Sequence, residues 1–357
     1  MSSGPQNEKP SDSTGEGHKR RKRYRGTHPR SFGEKYKELQ ADRYREDVEK
    51  VLARGATPAG SHRPICVAEI MRLLAPKPGE TAVDATLGYG GHALKILQAI
   101  QPGGRLVGLD RDGVELRRTE ARLLAAGFPA PSLILRHSNF ASLPSVLARE
   151  GIPGADLFLA DLGVSSMQID NPDRGFTFKR DGPLDMRMDT ERGLSAADLL
   201  AELPEHRLRE LLAENADIAE ADEIALAVSL LRGELTTTRA LADAIRSALP
   251  PAPKGDPAIA RTIRRCFQAI RIQVNAEFSS LDTLLAALPS CLLPGGRAAI
   301  LTFHSGEDRR VEASFNEGLK KGLYESVAAE PIRPSREEQY DNPRSSSAKL
   351  RWAVRSG

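Results

Sequence analysis

Short, almost uniformly apolar runs alternate with amphipathic stretches through the first half of the chain. The runs TAVDATLG, RLVGLD, SLILRHS and ADLFLADLG begin at residues 81, 105, 132 and 155. Between them, GGHALKILQAI, VELRRTEARLLAAG and SLPSVLAREG carry apolar residues at helical spacing. Apolar strands that alternate with helices are typical of a parallel sheet covered on both faces. The pattern therefore predicts an α/β fold with a doubly wound sheet.

Two similar segments extend this sheet. PGGRLVGLD at 102–110 and PGGRAAILTFHS at 294–305 each place a Pro-Gly-Gly turn between a helix and an apolar run. Glycine suits the end of a helix and proline prevents its continuation, so both apolar runs should be strands of one sheet. Near the end of the chain, KLRWAV at 349–354 alternates in a way that fits a last strand at or near an edge.

Leu, Ala, Glu and Arg at helical spacing dominate the region between these segments. Because the strand pattern resumes only afterwards, we predict that residues 170–270 form a helical insertion. Residues 61–169 and 271–357 then make up the sheet domain, which should begin near HRPICVAEIMRLL. The insertion is our candidate for substrate recognition.

Residues 1–60 have a different character. HKRRKRYRGTHPR at 18–30 is basic throughout, and EKYKELQADRYREDVEKVLA at 34–53 reads as a charged helix. A basic segment of this composition cannot fold alone and could bind phosphate backbones, but it fits a solvated tail equally well.

Composition narrows the class of protein. The 357 residues are 40% hydrophobic and 28% charged, with a net charge of +3, as in ordinary globular proteins. No apolar segment approaches the roughly 18 to 20 residues that cross a bilayer, and no secretory signal is visible, so the cytoplasm is the expected location. Cys66, Cys266 and Cys291 lack metal or disulfide spacing, and we expect buried reduced thiols.

A nucleotide-type site is indicated by the turn after the first strand. Gly88, Gly90 and Gly91 lie between a strand and a helix, where a backbone must approach a ligand closely. About twenty residues later, Asp110 ends the second strand and could accept hydrogen bonds from ribose hydroxyls. The combination is typical of an adenosine-containing cofactor.

Charge separates two such cofactors. Asp84 lies four residues before Gly88, where its carboxylate would repel a pyrophosphate but could pair with the ammonium group of a methionine. This favours S-adenosylmethionine over NAD, although an NAD-dependent oxidoreductase would share the glycine turn and Asp110.

The motifs together resemble the bacterial family of ribosomal small-subunit RNA methyltransferase H, also called the MraW family. They occur in family order between about His62 and Arg355: DATLGYGGH, GLDRD, ADLGVSS, RGFTFKRDGPLDMRMD, CFQAIRIQVNAE, PGGRAAILTFHS and NPRSSSAKLR. The resemblance implies a class I methyltransferase fold and methylation, by S-adenosylmethionine, of the exocyclic N4 of a cytidine in the decoding region of 16S rRNA.

The family's cofactor contacts map onto individual positions of this chain. Besides Asp84, which was singled out by its charge, the resemblance implies contacts at Gly90, Gly91, His92, Asp110, Phe140, Asp161 and Gln168. Four departures are visible: the basic N-terminal tail is extra, ENADIAEADEIA at 214–225 replaces a more basic stretch, Gly306 replaces a common leucine, and Ser346 replaces a common arginine. None of them falls in the cofactor motifs.

Methylation of N4 needs alignment more than a strong base, because the cytosine amino lone pair is delocalised into the ring. Asp161 is our first candidate to accept a hydrogen bond from that amino group, since a carboxylate that ends an apolar strand needs a partner. Ser165 and Ser166 could hold the base or simply cap the following turn. His304 could approach the base or bond locally, and no metal is required.

Candidate RNA contacts combine basic and aromatic side chains, which can hold phosphates and stack on an extruded base. The candidates are Arg174, Phe176, Phe178, Lys179, Arg180, Asp185, Arg187, Arg271 and Asn275. Alternatively, the two phenylalanines plug the insertion against the sheet, and Asp185 pairs with Arg187 as a brace. The expected partner is 16S rRNA or the small ribosomal subunit. A non-catalytic ribosome-assembly factor with this fold and a homodimer both stay open.

Overall fold

The computed structural model describes Met1, residues 64–253 and residues 255–357. The predictions for the basic run and the charged helix within residues 1–60 lie outside the described residues. None of the described helices is both long and apolar enough to cross a membrane. Cys66, Cys266 and Cys291 are buried free thiols, which confirms the expectation from their spacing.

Strands and helices alternate as the hydrophobic pattern predicts. The strands are β1 (Thr81–Asp84), β2 (Arg105–Asp110), β3 (Leu133–His137), β4 (Ala155–Asp161), β5 (Leu292–Thr302), β6 (Tyr324–Val327) and β7 (Lys349–Arg355). The helices of the first half are α1 (Val67–Leu74), α2 (Gly91–Ile100), α3 (Gly113–Ala125), α4 (Leu143–Arg149) and α5 (Ser166–Asp170). The remaining helices are α6 (Ala196–Glu202), α7 (Glu205–Ala216), α8 (Ala221–Leu230), α9 (Thr238–Ala248), α10 (Pro257–Val274), α11 (Glu277–Cys291), α12 (Ser305–Lys320) and α13 (Arg336–Asp341).

The strands form one sheet in the order β3-β2-β1-β4-β5-β7-β6. Strands β1 to β5 run parallel, and β7 is antiparallel to both β5 and β6. The first Pro-Gly-Gly turn leads into β2, as predicted. The second lies within β5, at an irregularity in the pairing of β5 with β4, and β7 lies next to the edge of the sheet. The sheet is mixed rather than purely parallel, because the short β6, which the apolar pattern did not predict, forms the edge beyond β7.

Side chains of the parallel strands alternate between two apolar layers. Val83 and Phe158 belong to the layer that includes α4, α11 and α12, whereas Ala82 and Leu157 belong to the layer that includes α1 and α2. Helices therefore cover both faces, as predicted, and the sheet has the doubly wound class I methyltransferase arrangement. Strand order reverses between β1 and β4, and ligands of such sheets bind at the carboxyl ends of strands at this switch point.

Helices α6 to α10 enclose an apolar core of their own, built from residues between Leu184 and Ile270. Phe176 and Phe178 pack against this core, and the rings of Phe178 and Phe267 lie 5.3 Å apart. The helical region is thus stabilised by its own buried apolar surface, in addition to its contacts with the sheet domain.

Asn275 joins the helical region to the sheet. It follows α10, is 1% exposed, and donates from Nδ2 to the Met186 carbonyl (2.8 Å) while its Oδ1 accepts from the Met188 amide (2.8 Å). Its own carbonyl accepts a hydrogen bond from Arg111, just beyond β2. The prediction that Asn275 contacts RNA does not fit this geometry, because its side chain is buried and fully engaged within the protein.

We expect Asn275→Ala to destabilise the fold. The change leaves the Met186 carbonyl and the Met188 amide without their partner, at a cost of about 1 to 3 kcal/mol for each unsatisfied buried group. Urea unfolding of the full chain measures this. Asn215→Ala is the matched control, because Asn215 makes one long bond of 3.3 Å to the Ala269 carbonyl. Equal stabilities of the two variants would contradict the role given to Asn275.

Candidate functional site

A cavity of about 530 Å³ opens at the switch point of the sheet. Its wall is built from the turn after β1, the ends of β2 and β4, the starts of α5 and α12, and the last turns of α10. The volume lies within the range of pockets that hold nucleotide-sized molecules. Most of the residues predicted as cofactor contacts lie on this wall: Gly90, Gly91, His92, Asp110, Phe140, Asp161 and Gln168.

Glycine is required at two positions of the turn after β1. Gly90 has φ of 79°, and a Cβ there would lie 2.7 Å from the Thr119 methyl group. A Cβ on Gly91 would lie 2.3 Å from Pro64 Cγ. The glycines therefore let α2 start close to its neighbours, with backbone rather than side chains facing the cavity.

Asp110 fixes the turn from the side of β2. Its carboxylate accepts from the Gly88 amide (2.7 Å) and from the Asp112 amide (2.7 Å). Burial raises the pKa of Asp110 to about 6, against the opposing effect of these bonds. The group is thus held rigidly at the position from which a ribose could be bound.

Asp112 is the most heavily bonded carboxylate of this wall. One oxygen caps α3 by accepting from the amides of Val114 and Glu115 (3.1 Å each). The other accepts from Gln168 Nε2 (3.0 Å) and from the Arg174 guanidinium (2.7 Å). Burial alone would raise the pKa of Asp112, but Arg174 and the other donors outweigh it, so the pKa is lowered and the group is ionised.

Ser165 and Gln168 form a reciprocal cap at the start of α5. The Gln168 amide donates to Ser165 Oγ (3.2 Å), and the Ser165 amide donates to Gln168 Oε1 (2.9 Å). The turn-capping alternative for Ser165 is therefore the observed one. Both residues and Ser166 also lie on the cavity wall, and the second end of the Gln168 amide reaches Asp112.

Asp161 ends β4 inside the cavity. Its amide donates to Thr86 Oγ1 (2.6 Å), and its carboxylate lies 3.9 Å from Nδ1 of His92. Burial, and then the charge of Glu307, raise the pKa of Asp161 to about 7. His92 bonds the Ile65 carbonyl through Nε2 (3.0 Å), and burial lowers its pKa, so it is a neutral neighbour.

A charged cluster lies beside Asp161. Glu307 accepts from the Phe303 amide (2.8 Å), and its carboxylate lies 3.2 Å from Nε2 of His304. Burial would raise the pKa of Glu307, but His304, the Phe303 amide and Arg271 together lower it. Arg271 is paired with both oxygens of Glu277 (2.8 and 2.9 Å). His304 thus bonds locally in this structure, although it also faces the cavity.

Gly306 explains one of the departures from the family pattern. A Cβ at this position would lie 2.5 Å from the Phe278 ring, which packs on His304 with ring centroids 5.7 Å apart. The Arg310 guanidinium covers the same ring at 3.8 Å. A larger residue at 306 would displace this aromatic packing, and glycine leaves room for it.

Asp84 does not lie where the charge argument placed it. It is 2% exposed, is absent from the cavity wall, and accepts from the Thr86 amide (3.1 Å). Burial raises its pKa to about 6, against the opposing effect of His92. Direct pairing with a ligand ammonium group is therefore not available to Asp84 in this structure, because the carboxylate is enclosed at the end of β1.

The predicted RNA-binding segment is largely occupied by internal contacts. Arg174 is paired with Asp112 and also donates hydrogen bonds to the carbonyls of Arg187 and Met188 (3.0 and 2.8 Å). Asp185 and Arg187 form the predicted alternative, a two-pronged pair at 2.7 and 2.9 Å. Both phenylalanines pack against the helical core, as the alternative for them proposed, and only Lys179 and Arg180 are exposed among the basic residues of this segment.

Several residues of the site escaped prediction from the sequence. Asp112, Glu277 and Glu307 bear the charges that position the predicted residues, yet none was singled out. Asp112 had a readable signal, because it directly precedes a helix and aspartate is a preferred cap at that position. Glu277 and Glu307 had none, since no pattern in the sequence shows that their carboxylates lie on the same cavity wall as Asp161.

The cavity suits a cationic methyl donor. Asp161, Glu277 and Glu307 place carboxylates on its wall, and Arg271 counters part of this charge. Asp110 also lines the cavity, and Phe140 and Leu281 add apolar surface. A sulfonium and an ammonium group would be attracted to the carboxylates, and a ribose to Asp110. A pyrophosphate would meet unfavourable charge at the same wall.

Comparison with known proteins agrees with this geometry. Residues 59–356 match the MraW methylase family. The chain is 47% identical to ribosomal RNA small subunit methyltransferase H 1 of Lachnoclostridium phytofermentans, over 95% of this chain and 93% of that protein. It is 46% identical to ribosomal RNA small subunit methyltransferase H 2 of Alkaliphilus metalliredigens, over 97% and 100%.

Among solved structures, a SAM-dependent O-methyltransferase from Thermotoga maritima aligns with 10% identity and a TM-score of 0.37, over 83% of this chain and 66% of that one. The family match confirms the resemblance seen in the motifs and S-adenosylmethionine as the cofactor, in place of NAD. With a family match over most of its length and relatives 46 to 47% identical, the chain belongs to the MraW methylase family.

Proposed function

We propose that this protein methylates the small-subunit ribosomal RNA, at the exocyclic N4 of a cytidine in the decoding region of 16S rRNA. Relatives that align over 93 to 100% of their own length are named as small subunit methyltransferases, which supports the coarser part of this proposal. The finer part rests on one observation, the Asp161 carboxylate, which ends β4 on the cavity wall with 29% of its side chain exposed. An amino group is the nucleophile that such an acceptor suits best.

Asp110, Phe140 and Gln168 would hold the cofactor. Gly90 and Gly91, which have no side chains, would let the cofactor approach the backbone of the turn after β1. When bound, S-adenosylmethionine supplies an electrophilic methyl group on a sulfonium centre. Asp161 would accept a hydrogen bond from one N–H of the cytosine amino group. This bond would orient the lone pair of the amino nitrogen toward the methyl group. Methyl transfer would replace the C–S bond of the cofactor with a C–N bond, and the methylated amino nitrogen would then release one proton. Asp161 is within the same cavity to accept it.

Glu307 and His304 complete this arrangement as positioning residues. Glu307 holds the Phe303 amide, so it fixes the turn between β5 and α12 that carries His304. Its charge also keeps the Asp161 pKa high, which makes the ionised carboxylate a stronger proton acceptor than an ordinary aspartate. A non-catalytic assembly factor with the same fold would not need this pairing of two acids.

The proposal is tested by methyl transfer from labelled S-adenosylmethionine to purified small ribosomal subunits from a strain that lacks the enzyme. We expect label in N4-methylcytidine after digestion to nucleosides and mass spectrometry. Asp161→Asn, which removes the charge and keeps the shape, should lower the single-turnover rate roughly 10² to 10⁴-fold. Label in another nucleoside would refute the N4 assignment, and full activity of the variant would refute the role of Asp161.

The pH dependence of the same single-turnover rate tests the role of Glu307. Protonated Asp161 cannot accept the amino hydrogen, so the rate should rise with pH, with a midpoint at or below about 7 because a bound sulfonium cation favours the ionised form. Glu307→Gln removes a negative charge beside Asp161, which should move the midpoint to lower pH. Glu317→Gln, an exposed change on the same helix, should leave it unmoved. An unchanged midpoint in the Glu307→Gln variant would contradict the coupling between Glu307 and Asp161.

A further inference from the structure

The surface of α10 differs from that of the other helices of the insertion. This helix of 18 residues contains Arg261, Arg264, Arg265 and Arg271 and no acidic residue. Its neighbour α7 mixes Arg207 and Arg209 with glutamates on its exposed side, and α8 carries Asp222 and Glu223 and no basic residue. Protein surfaces usually intersperse both signs of charge, so a stretch of one sign indicates attraction to an oppositely charged partner.

Helical spacing sorts these residues into two faces. Ile263, Cys266 and Phe267 are buried in the insertion core. Positions 261, 264, 268 and 271 follow at intervals of three and four, so they share the opposite face. Gln268 and Arg271 of this face lie on the cavity wall. One continuous face thus begins inside the cavity and runs outward along the helix.

The arginines on this face are not used by the fold. Arg261 and Arg264 are exposed and make no ion pair with another described residue. Arg265, by contrast, donates hydrogen bonds to the carbonyls of Ala216 and Asp217 at the end of α7. Since Arg174 and Arg187 are also occupied internally, the predicted RNA-binding segment offers few free cations, and α10 offers two in line with the cavity.

We propose that the exposed face of α10 is a track for the RNA backbone, in which Arg261 and Arg264 bind phosphates of nucleotides next to the target cytidine. This inference rests on the proposed function and deepens it. Arg261 and Arg271 are ten residues apart, or about 15 Å along the helix. That span exceeds one nucleotide, so the track would hold the strand while its target base enters the cavity. Guanidinium groups suit phosphates because they donate in pairs.

The test compares two double variants that lose equal charge. R261Q/R264Q removes the track, and R117Q/R149Q removes two exposed arginines from α3 and α4 that lie off the cavity wall. Binding to small subunits from a strain that lacks the enzyme is measured between 50 and 200 mM salt, on the order of the range over which phosphate contacts weaken. S-adenosylmethionine affinity and the single-turnover rate at saturating subunits are measured alongside.

We expect R261Q/R264Q to weaken subunit binding roughly 10- to 30-fold near 0.1 M salt and to reduce the slope of log K against log salt by about 1.4, since each phosphate contact to a single strand contributes about 0.7. Cofactor affinity and the saturated rate should stay unchanged. The control pair should bind as the wild type does. Equal losses in both pairs, or none in R261Q/R264Q, would overturn the inference.

A second measurement needs no variant. Bound subunits should protect Arg261 and Arg264 of the wild-type protein from phenylglyoxal, but not Arg117 and Arg149; protection of neither pair or of both would overturn the inference. Failure of the proposed function appears separately, as a wild-type protein that transfers no methyl group to small subunits. If the wild type is active and the track residues are unprotected, only the inference about α10 fails.

Discussion

The site depends on the carboxylate of Asp112. Within one side chain it caps α3, holds Gln168 at the start of α5 and anchors Arg174, while its amide is fixed by Asp110. Arg174 in turn holds the carbonyls of Arg187 and Met188, and the Met188 amide is bonded to Asn275. A single buried, ionised group therefore links the turn after β1, the start of α5 and the segment that leads into the helical region. A buried polar network is stabilising when every member is bonded. A change at one member, by substitution or ligand binding, should therefore affect the other members as well.

The second organising feature is the sign of the charges around the cavity. The charge of Glu307 acts on both Asp161 and Arg271, and Arg271 is paired with Glu277. Burial and the charge of Glu307 raise the pKa of Asp161, because both disfavour its ionised form. In the proposed function, a bound sulfonium cation would offset this effect. The acids that attract the methyl donor would then also set the protonation of Asp161, which would link cofactor recognition to acceptance of the amino proton.

Sequence reasoning performed best where local chemistry decides the structure. Continuous apolar runs identified β1 to β5, and the glycines and Asp110 identified a turn that lines the cavity, because strand burial and backbone approach depend on consecutive residues. It performed poorly for Asp84, Asn275 and most of the basic residues between Arg174 and Arg187. For these, residue type alone cannot separate a ligand contact from an internal bond. Glu307 and Glu277 were missed because residue type does not show which carboxylates meet at the cavity wall, and the short β6 lacked a distinctive pattern.

We expect Asp112 to couple the turn after β1 to the helical region. Hydrogen exchange of the wild-type chain, with and without S-adenosylmethionine, tests it most directly. The account predicts that the cofactor slows exchange not only at the Gly88 amide but also at the Gln168 and Met188 amides, and that Asp112→Ser, which retains a helix cap, abolishes the effect at Met188 alone or together with Gln168. Protection confined to the glycine turn in the wild type, or unchanged protection at Met188 in the variant, would contradict it.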